Sequence, residues 1–209
     1  MQGVPYPVEF SVEYPDRDLN RLTTFFRLFT VIPIAIVAAV IVEGGYAEYS
    51  YLNFVYLAGA GIGLVGLPTG LMILFRKKYP RWWFDWNLEL MRFVARISVY
   101  GSLMDDRYPS TDEQQSVRLD FPYPDVERDL GRWMPVFKWL LLIPHYVMLT
   151  LLFIGAFFAV VFAWFAILFT GRYPRSLFEL VEGVHRWYYR VMAYGFALAT
   201  DRYPPFGFK

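Results

Sequence analysis

The chain has 209 residues, 56% of them hydrophobic and 21% aromatic, with 20 basic and 19 acidic residues for a net charge of +1. A near-neutral charge excludes a global field that would steer the protein to nucleic acid. The absence of cysteine excludes disulfides, thiol catalysis and thiolate metal sites.

In chain order, the first predicted element is a strand: Val8, Phe10, Val12 and Tyr14 form one apolar row at a spacing of two. The segment around it lacks the basic and apolar regions of a signal peptide, so the first span is expected to act as its own insertion signal. Two uncharged stretches follow, Val31–Val42 and Leu52–Phe75, on either side of the polar loop Glu43–Ser50. They predict a transmembrane hairpin over about residues 22–75, since a helix rises ~1.5 Å per residue against a ~30 Å hydrocarbon core. On its second span Gly59, Gly63, Gly66 and Gly70 recur at i, i+4, i+7 and i+11. That spacing lets backbones approach closely, for packing within the chain or against a partner subunit. Pro68 in the same span kinks it and frees the Leu64 carbonyl.

Next comes a helix over about residues 81–104. Asp85, Glu89, Arg92 and Arg96 make one polar stripe at helical spacing, and Trp82, Trp83 and Trp86 belong to the apolar remainder. Such a helix is expected in the membrane interface, with aromatic rings at headgroup level. Ser110–Ser116 reads as a linker.

The second half repeats the order. Val117, Leu119, Phe121 and Tyr123 predict a strand, and pairing of the two strands on the cytoplasmic side is expected. The uncharged Trp139–Thr170 stretch predicts a second hairpin over about residues 134–169, turning at Gly155–Ala156. An interfacial helix over about 175–199 follows, with Glu179, Glu182, Arg186 and Arg190 as its polar stripe. One long helix in place of the second hairpin is the rival reading; it would put Arg172 and Arg175 across the bilayer from Arg128, Arg132 and Lys138.

The chain matches itself along its length. Tyr14-Pro15-Asp16 recurs as Tyr123-Pro124-Asp125, and Arg17-Asp18-Leu19 as Arg128-Asp129-Leu130. Arg27 matches Lys138, and Lys78-Tyr79-Pro80-Arg81 matches Arg172-Tyr173-Pro174-Arg175. Each half closes on one phrase, Asp106-Arg107-Tyr108-Pro109 and Asp201-Arg202-Tyr203-Pro204. The expected fold is therefore an α-helical integral membrane protein, a tandem pseudo-twofold repeat of transmembrane hairpin plus interfacial amphipathic helix, with short cytoplasmic strands. Unit 1 covers residues 1–115 and unit 2 residues 116–209. Lys and Arg flank both hairpins while the loop between the first two spans has none, so both termini are expected in the cytoplasm of a multi-pass inner-membrane protein.

Chemistry is sparse. A haem held between His145 and His185 would need both imidazoles to face one iron. The charged stripes read more simply as mutual ion-pair support. Phosphate loops, metal-ligand spacings and a triad in recognisable context are missing from the sequence, so neither catalytic residues nor a cofactor are expected.

Leu168–Pro174, Arg186-Trp187, Arg190-Val191, Ala193-Tyr194 and Thr200–Phe206 resemble the bacterial membrane family catalogued as domain of unknown function 4389. The resemblance covers both units and is strongest in the second. Unit 1 departs from it with Phe75-Arg76-Lys77 where unit 2 has Phe169-Thr170-Gly171. It implies a small inner-membrane protein and transfers no activity. The expected function is that of a non-catalytic accessory or scaffold subunit, in contact with membrane lipids and with partner subunits or further copies of itself. A small-solute or lipid transporter is the alternative, and a haem-bearing redox subunit the third reading.

Overall fold

A computed structural model describes residues 5–43, 66–113 and 115–208. Strands β1 (Glu9–Val12) and β2 (Val117–Asp120) pair antiparallel, with Phe10 opposite Leu119. The helices are α1 (Arg21–Phe25), α2 (Arg27–Glu43), α3 (helical at residues 66–76), α4 (Arg81–Gly101), α5 (Met134–Leu141), α6 (Ile143–Thr170) and α7 (Arg175–Gly195).

Local signals explain the boundaries. Asn20 caps α1, its side chain accepting from the Leu22 and Thr23 N–H groups. Pro80 and Pro174 hold extended backbone immediately before α4 and α7. Pro144 sits in the first turn of α6, where its missing N–H costs nothing. Gly171 closes α6 in the left-handed region at φ 77°, and Lys77, its match in the first half, adopts φ 50° after α3.

The elements stack in three layers. The strand ribbon turns Glu9, Ser11, Arg118 and Asp120 outward and buries Phe10, Val12, Leu119 and Phe121 against α4 and α7. Phe84 meets Phe121 edge-on at 5.6 Å, and Phe10 stacks on Tyr189 at 5.0 Å. Behind α7 runs α6, antiparallel to it: Leu142 packs against Gly195 at one end, and the Gly171–Pro174 turn joins the two helices at the other. Behind α4 runs α2, with Val31 beside Gly101.

Self-matching residues make reciprocal contacts. Tyr14 donates to the Tyr173 carbonyl (2.6 Å) and Tyr123 to the Tyr79 carbonyl. Arg175 lies over the Tyr14 ring and Arg81 over the Tyr123 ring. Leu103 and Leu198, at matched positions past α4 and α7, share the left-handed backbone at φ 64° and 53°. Because Phe10 and Leu119 both match and pair, a local twofold axis passes between them, perpendicular to the ribbon.

This architecture corrects the multi-span expectation. Among the described residues one helix, α6, is long and apolar enough to cross a membrane. The hairpin expected over 134–169 is the short α5 followed by an unbroken 28-residue α6, with Gly155 in its middle rather than at a turn. The run has no proline between Pro144 and Gly171, and its single Gly155 costs about 1 kcal/mol, too little to break a helix of this length. In the first half α2 has only 17 residues. The expected polar loop and much of the second span lie outside the described residues.

The helices expected at the interface form close to the expected limits but occupy the middle layer. Their polar stripes meet the strands and much of their apolar sides meets α2 and α6, while Trp82 and Trp86 at the start of α4 stay exposed.

Candidate functional site

The polar stripes hold the strands. Arg186 donates Nε to the Phe10 carbonyl (2.9 Å), Nη1 to the Phe208 carbonyl (2.7 Å) and Nη2 to Glu182 (2.6 Å). Glu182 in turn accepts from the Val12 N–H (3.3 Å). Arg92 repeats the arrangement: Nε to the Leu119 carbonyl (2.8 Å), with ion pairs to Glu89 (2.5 Å) and Asp120 (3.1 Å). Each arginine thus grips the strand of the other half. Arg96 donates to the Ser110 and Thr111 carbonyls, and Arg190 stands 5.8 Å over the Tyr6 ring. Asp85 and Glu179 make exposed pairs with Arg81 and Arg175, of the kind worth under about 1 kcal/mol.

The two histidines stand on opposite sides of α7. His145 Nδ1 accepts from Trp187 Nε1 (2.8 Å), and the imidazole stacks on Phe206 at 4.1 Å. His185 Nδ1 lies 2.8 Å from the Val181 carbonyl and its ring stacks on Phe10. Residues 185 and 187 are two apart on a 3.6-residue helix and so face nearly opposite ways. One iron cannot join the imidazoles. Burial holds His185 below its usual pKa, which leaves it neutral and its Nδ1–H donating to the carbonyl.

Of the glycine row, Gly59 and Gly63 lie outside the described residues. Gly66 and Gly70 pack within the chain: a Cβ at Gly66 would sit 2.9 Å from the Phe196 carbonyl oxygen, and one at Gly70 would touch Pro135 and Leu198.

Sequence reasoning missed two charge clusters. Lys138, fully buried, donates to the Thr200 carbonyl (2.8 Å) and pairs with Asp201 (2.8 Å) beside the Tyr194 ring. Asp201 also accepts from the Gly131 N–H (2.6 Å). At the matched place Arg27 lies 3.9 Å from the Tyr100 centroid, while Asp106 is taken by Arg17 and the Asn20 N–H. The opposing trends of burial, which raises the Asp106 pKa, and of these donors leave it below the usual carboxylate range. The only earlier signal was that Lys138 and Asp201 each recur as a charge in the other half.

A cleft of about 590 Å³ opens beside Asp105, lined by Tyr14, Arg17, Arg107 and Ser116 among others. Asp105 is engaged by Ser116 Oγ (2.5 Å) and by Arg107 Nε and Nη2 (3.0 and 2.9 Å). The carboxylate is spent on holding this turn to β2, so it presents no free base. Among the described residues, no group of three or more His, Cys, Asp or Glu stands close enough to hold a metal ion.

The outer layer is different. The outward faces of α2, α5 and α6 expose Leu28, Phe29, Ile36, Val136, Leu140, Leu151, Phe158 and Phe162, all at least half accessible. The most apolar stretch of α6 has a mean hydropathy of 2.7 and is only 22% buried. No charged residue interrupts it, and the exposed Thr150 hydroxyl is bonded to the Tyr146 carbonyl. A contiguous exposed apolar surface of this kind marks contact with membrane or protein.

Residues 132–207 match a family described as a domain of unknown function, DUF4389. The matched segment runs from the residue before Trp133 through α5, α6 and α7 into the closing turn, and it contains the Lys138–Asp201, His145–Trp187 and Glu182–Arg186 contacts. No curated protein and no solved structure matches the chain.

Proposed function

We propose that the protein is a non-catalytic accessory or scaffold subunit of the bacterial inner membrane, seated by its outer helix layer and exposing its strand ribbon toward the cytoplasm with both termini. In this reading residues 132–207 are one copy of the DUF4389 domain and the first half holds a diverged second copy. The reciprocal arginine and tyrosine contacts support that pairing.

One observation carries the functional reading: among the described residues the polar stripes and both histidines are engaged within the fold, while the outer faces of α2, α5 and α6 expose apolar side chains. A protein arranged this way acts by what it binds and organises. Carboxylates at Asp105 and Asp106 hold turns, the stripes hold strands, and both histidines are neutral packing groups. Purification in mild detergent at native expression level tests the reading. A complex of defined stoichiometry is expected; a lone monomer recovered in full yield contradicts it.

A further inference from the structure

The twofold axis through Phe10 and Leu119 says how the molecule meets its lipid. Asn20 and Gly131, at matched positions beyond the strands, make the same contact, each N–H donating to the matched carboxylate of Asp106 or Asp201, so the axis relates Leu19–Arg21 to Leu130–Arg132 and sets them at similar heights. The end of α6 is fastened to the first: the Leu19 N–H donates to the Gly171 carbonyl (2.8 Å), and Arg172 pairs with Asp18 (3.0 Å). The start of α6 follows the second through the eight-residue α5, whose Lys138 shares Asp201 with Gly131. A helix of 28 residues, ~42 Å long, therefore has its two ends within about the ~12 Å length of α5 of one height. It runs across the axis, not along it.

Two orientations in a bilayer are open to such a body. If α6 crossed, the axis would lie in the membrane plane, and Glu9, Arg118 and Asp120 on the ribbon, with Glu182 and Arg186 behind it, would sit at the depth of the acyl chains, where charges are expensive. If the axis stands along the membrane normal, the charged ribbon faces water and the outer faces of α2 and α6 face lipid. Exposed Trp133 and Trp139 then flank the start of α6 and exposed Arg172 and Arg175 its end, as headgroup-level anchors.

We propose that α6 lies in the plane of the membrane, its row Val147, Leu151, Ile154, Phe158, Phe162 and Phe165 sunk into a single leaflet, so that the chain rides on one side of the bilayer through this helix without crossing by it. The proposal rests on the membrane seating argued above and adds its geometry. Interfacial helices normally carry their own polar face to water. Here that face is replaced by a protein contact, since α6 turns His145, Leu149, Ala156, Ala159, Ala163 and Ile167 inward.

The cysteine-free full-length chain allows single-cysteine labelling. Arg132→Cys and Arg172→Cys bracket α6, and Phe158→Cys lies on its outer row. A membrane-impermeant maleimide is applied to right-side-out and inside-out vesicles from producing cells. Phe158→Cys also carries a nitroxide, whose depth is read by paramagnetic relaxation in phosphatidylcholine/phosphatidylglycerol vesicles. Labelling of both bracketing cysteines from the same side, with the Phe158 nitroxide shallow in one leaflet, is the expected result. Labelling from opposite sides, or a nitroxide at the bilayer centre, overturns the in-plane geometry and leaves the membrane seating intact. A chain absent from the membrane fraction, with Phe158→Cys open to reagent, overturns both.

Discussion

Arg186 donates its Nε to the backbone carbonyl of Phe10, a residue 176 positions earlier in the chain. The same guanidinium satisfies Glu182, whose side chain is only 16% exposed, and the Phe208 carbonyl. Replacement by methionine takes this donor from the Phe10 and Phe208 carbonyls and leaves Glu182 with the Val12 N–H in place of its cation. Arg186→Met is expected to cost about 3 kcal/mol, as for removing one partner of a buried ion pair. Arg186→Lys should recover less than half of that, because an ammonium lacks the planar fork that spans divergent acceptors. Denaturant unfolding in detergent micelles gives both values. An unchanged midpoint for the methionine variant would remove the clamp from the account.

Gly155 and Gly66 give opposite expectations for the same substitution. Nothing lies within 4 Å of a Cβ at Gly155, which sits in the exposed middle of α6. Gly155→Ala should therefore stabilise by about 0.5–1 kcal/mol, the helix-interior preference for alanine. A turn at this position would make the substitution destabilising, so the sign of the change tests the continuity of α6. Gly66→Ala drives a methyl to 2.9 Å from a backbone oxygen and should cost about 1–3 kcal/mol.

Lys77 carries a side chain in a left-handed backbone where the matched position has glycine. Lys77→Gly should stabilise by about 1 kcal/mol, the usual penalty of that region for a residue with a Cβ. Leu198→Gly removes the same strain but also a side chain buried to 2% exposure, and should be destabilising overall. Thermal midpoints of the two variants are predicted to move in opposite directions.

Asp106 sets a pH dependence. Its folded pKa is depressed, so it binds a proton more weakly folded than unfolded, and its contribution is fully present above the unfolded carboxylate value of about 4. The contribution is lost as pH falls through the lower folded value. Arg17→Gln removes the main donor while burial and the Asn20 N–H remain, so the folded pKa rises and the acid-linked loss shrinks. A carboxyl-carbon NMR titration of Asp106 in both proteins checks the direction; identical curves contradict it.

Alternation at Val8–Tyr14 and Val117–Tyr123 was enough to mark both strands, and the Tyr-Pro-Arg steps marked the starts of α4 and α7 within a residue. What covers the charged stripes was not readable. Their acceptors are backbone carbonyls of Phe10 and Leu119, and a carbonyl leaves no trace in residue type. The same amphipathic pattern fits a headgroup layer or a strand edge, and the strands won. The second hairpin failed for another reason. Arg128 and Arg172 on one side suggest two crossings, but a helix running across the axis also returns both ends to one side without a turn.

On the proposed seating, the outer faces of α2, α5 and α6 meet lipid. Flotation of the purified chain with phosphatidylcholine/phosphatidylglycerol vesicles, after detergent removal, tests it most directly. The protein is expected to rise with the vesicles and to aggregate when they are left out. A monodisperse protein that stays at the bottom of the gradient, with or without vesicles, would contradict it.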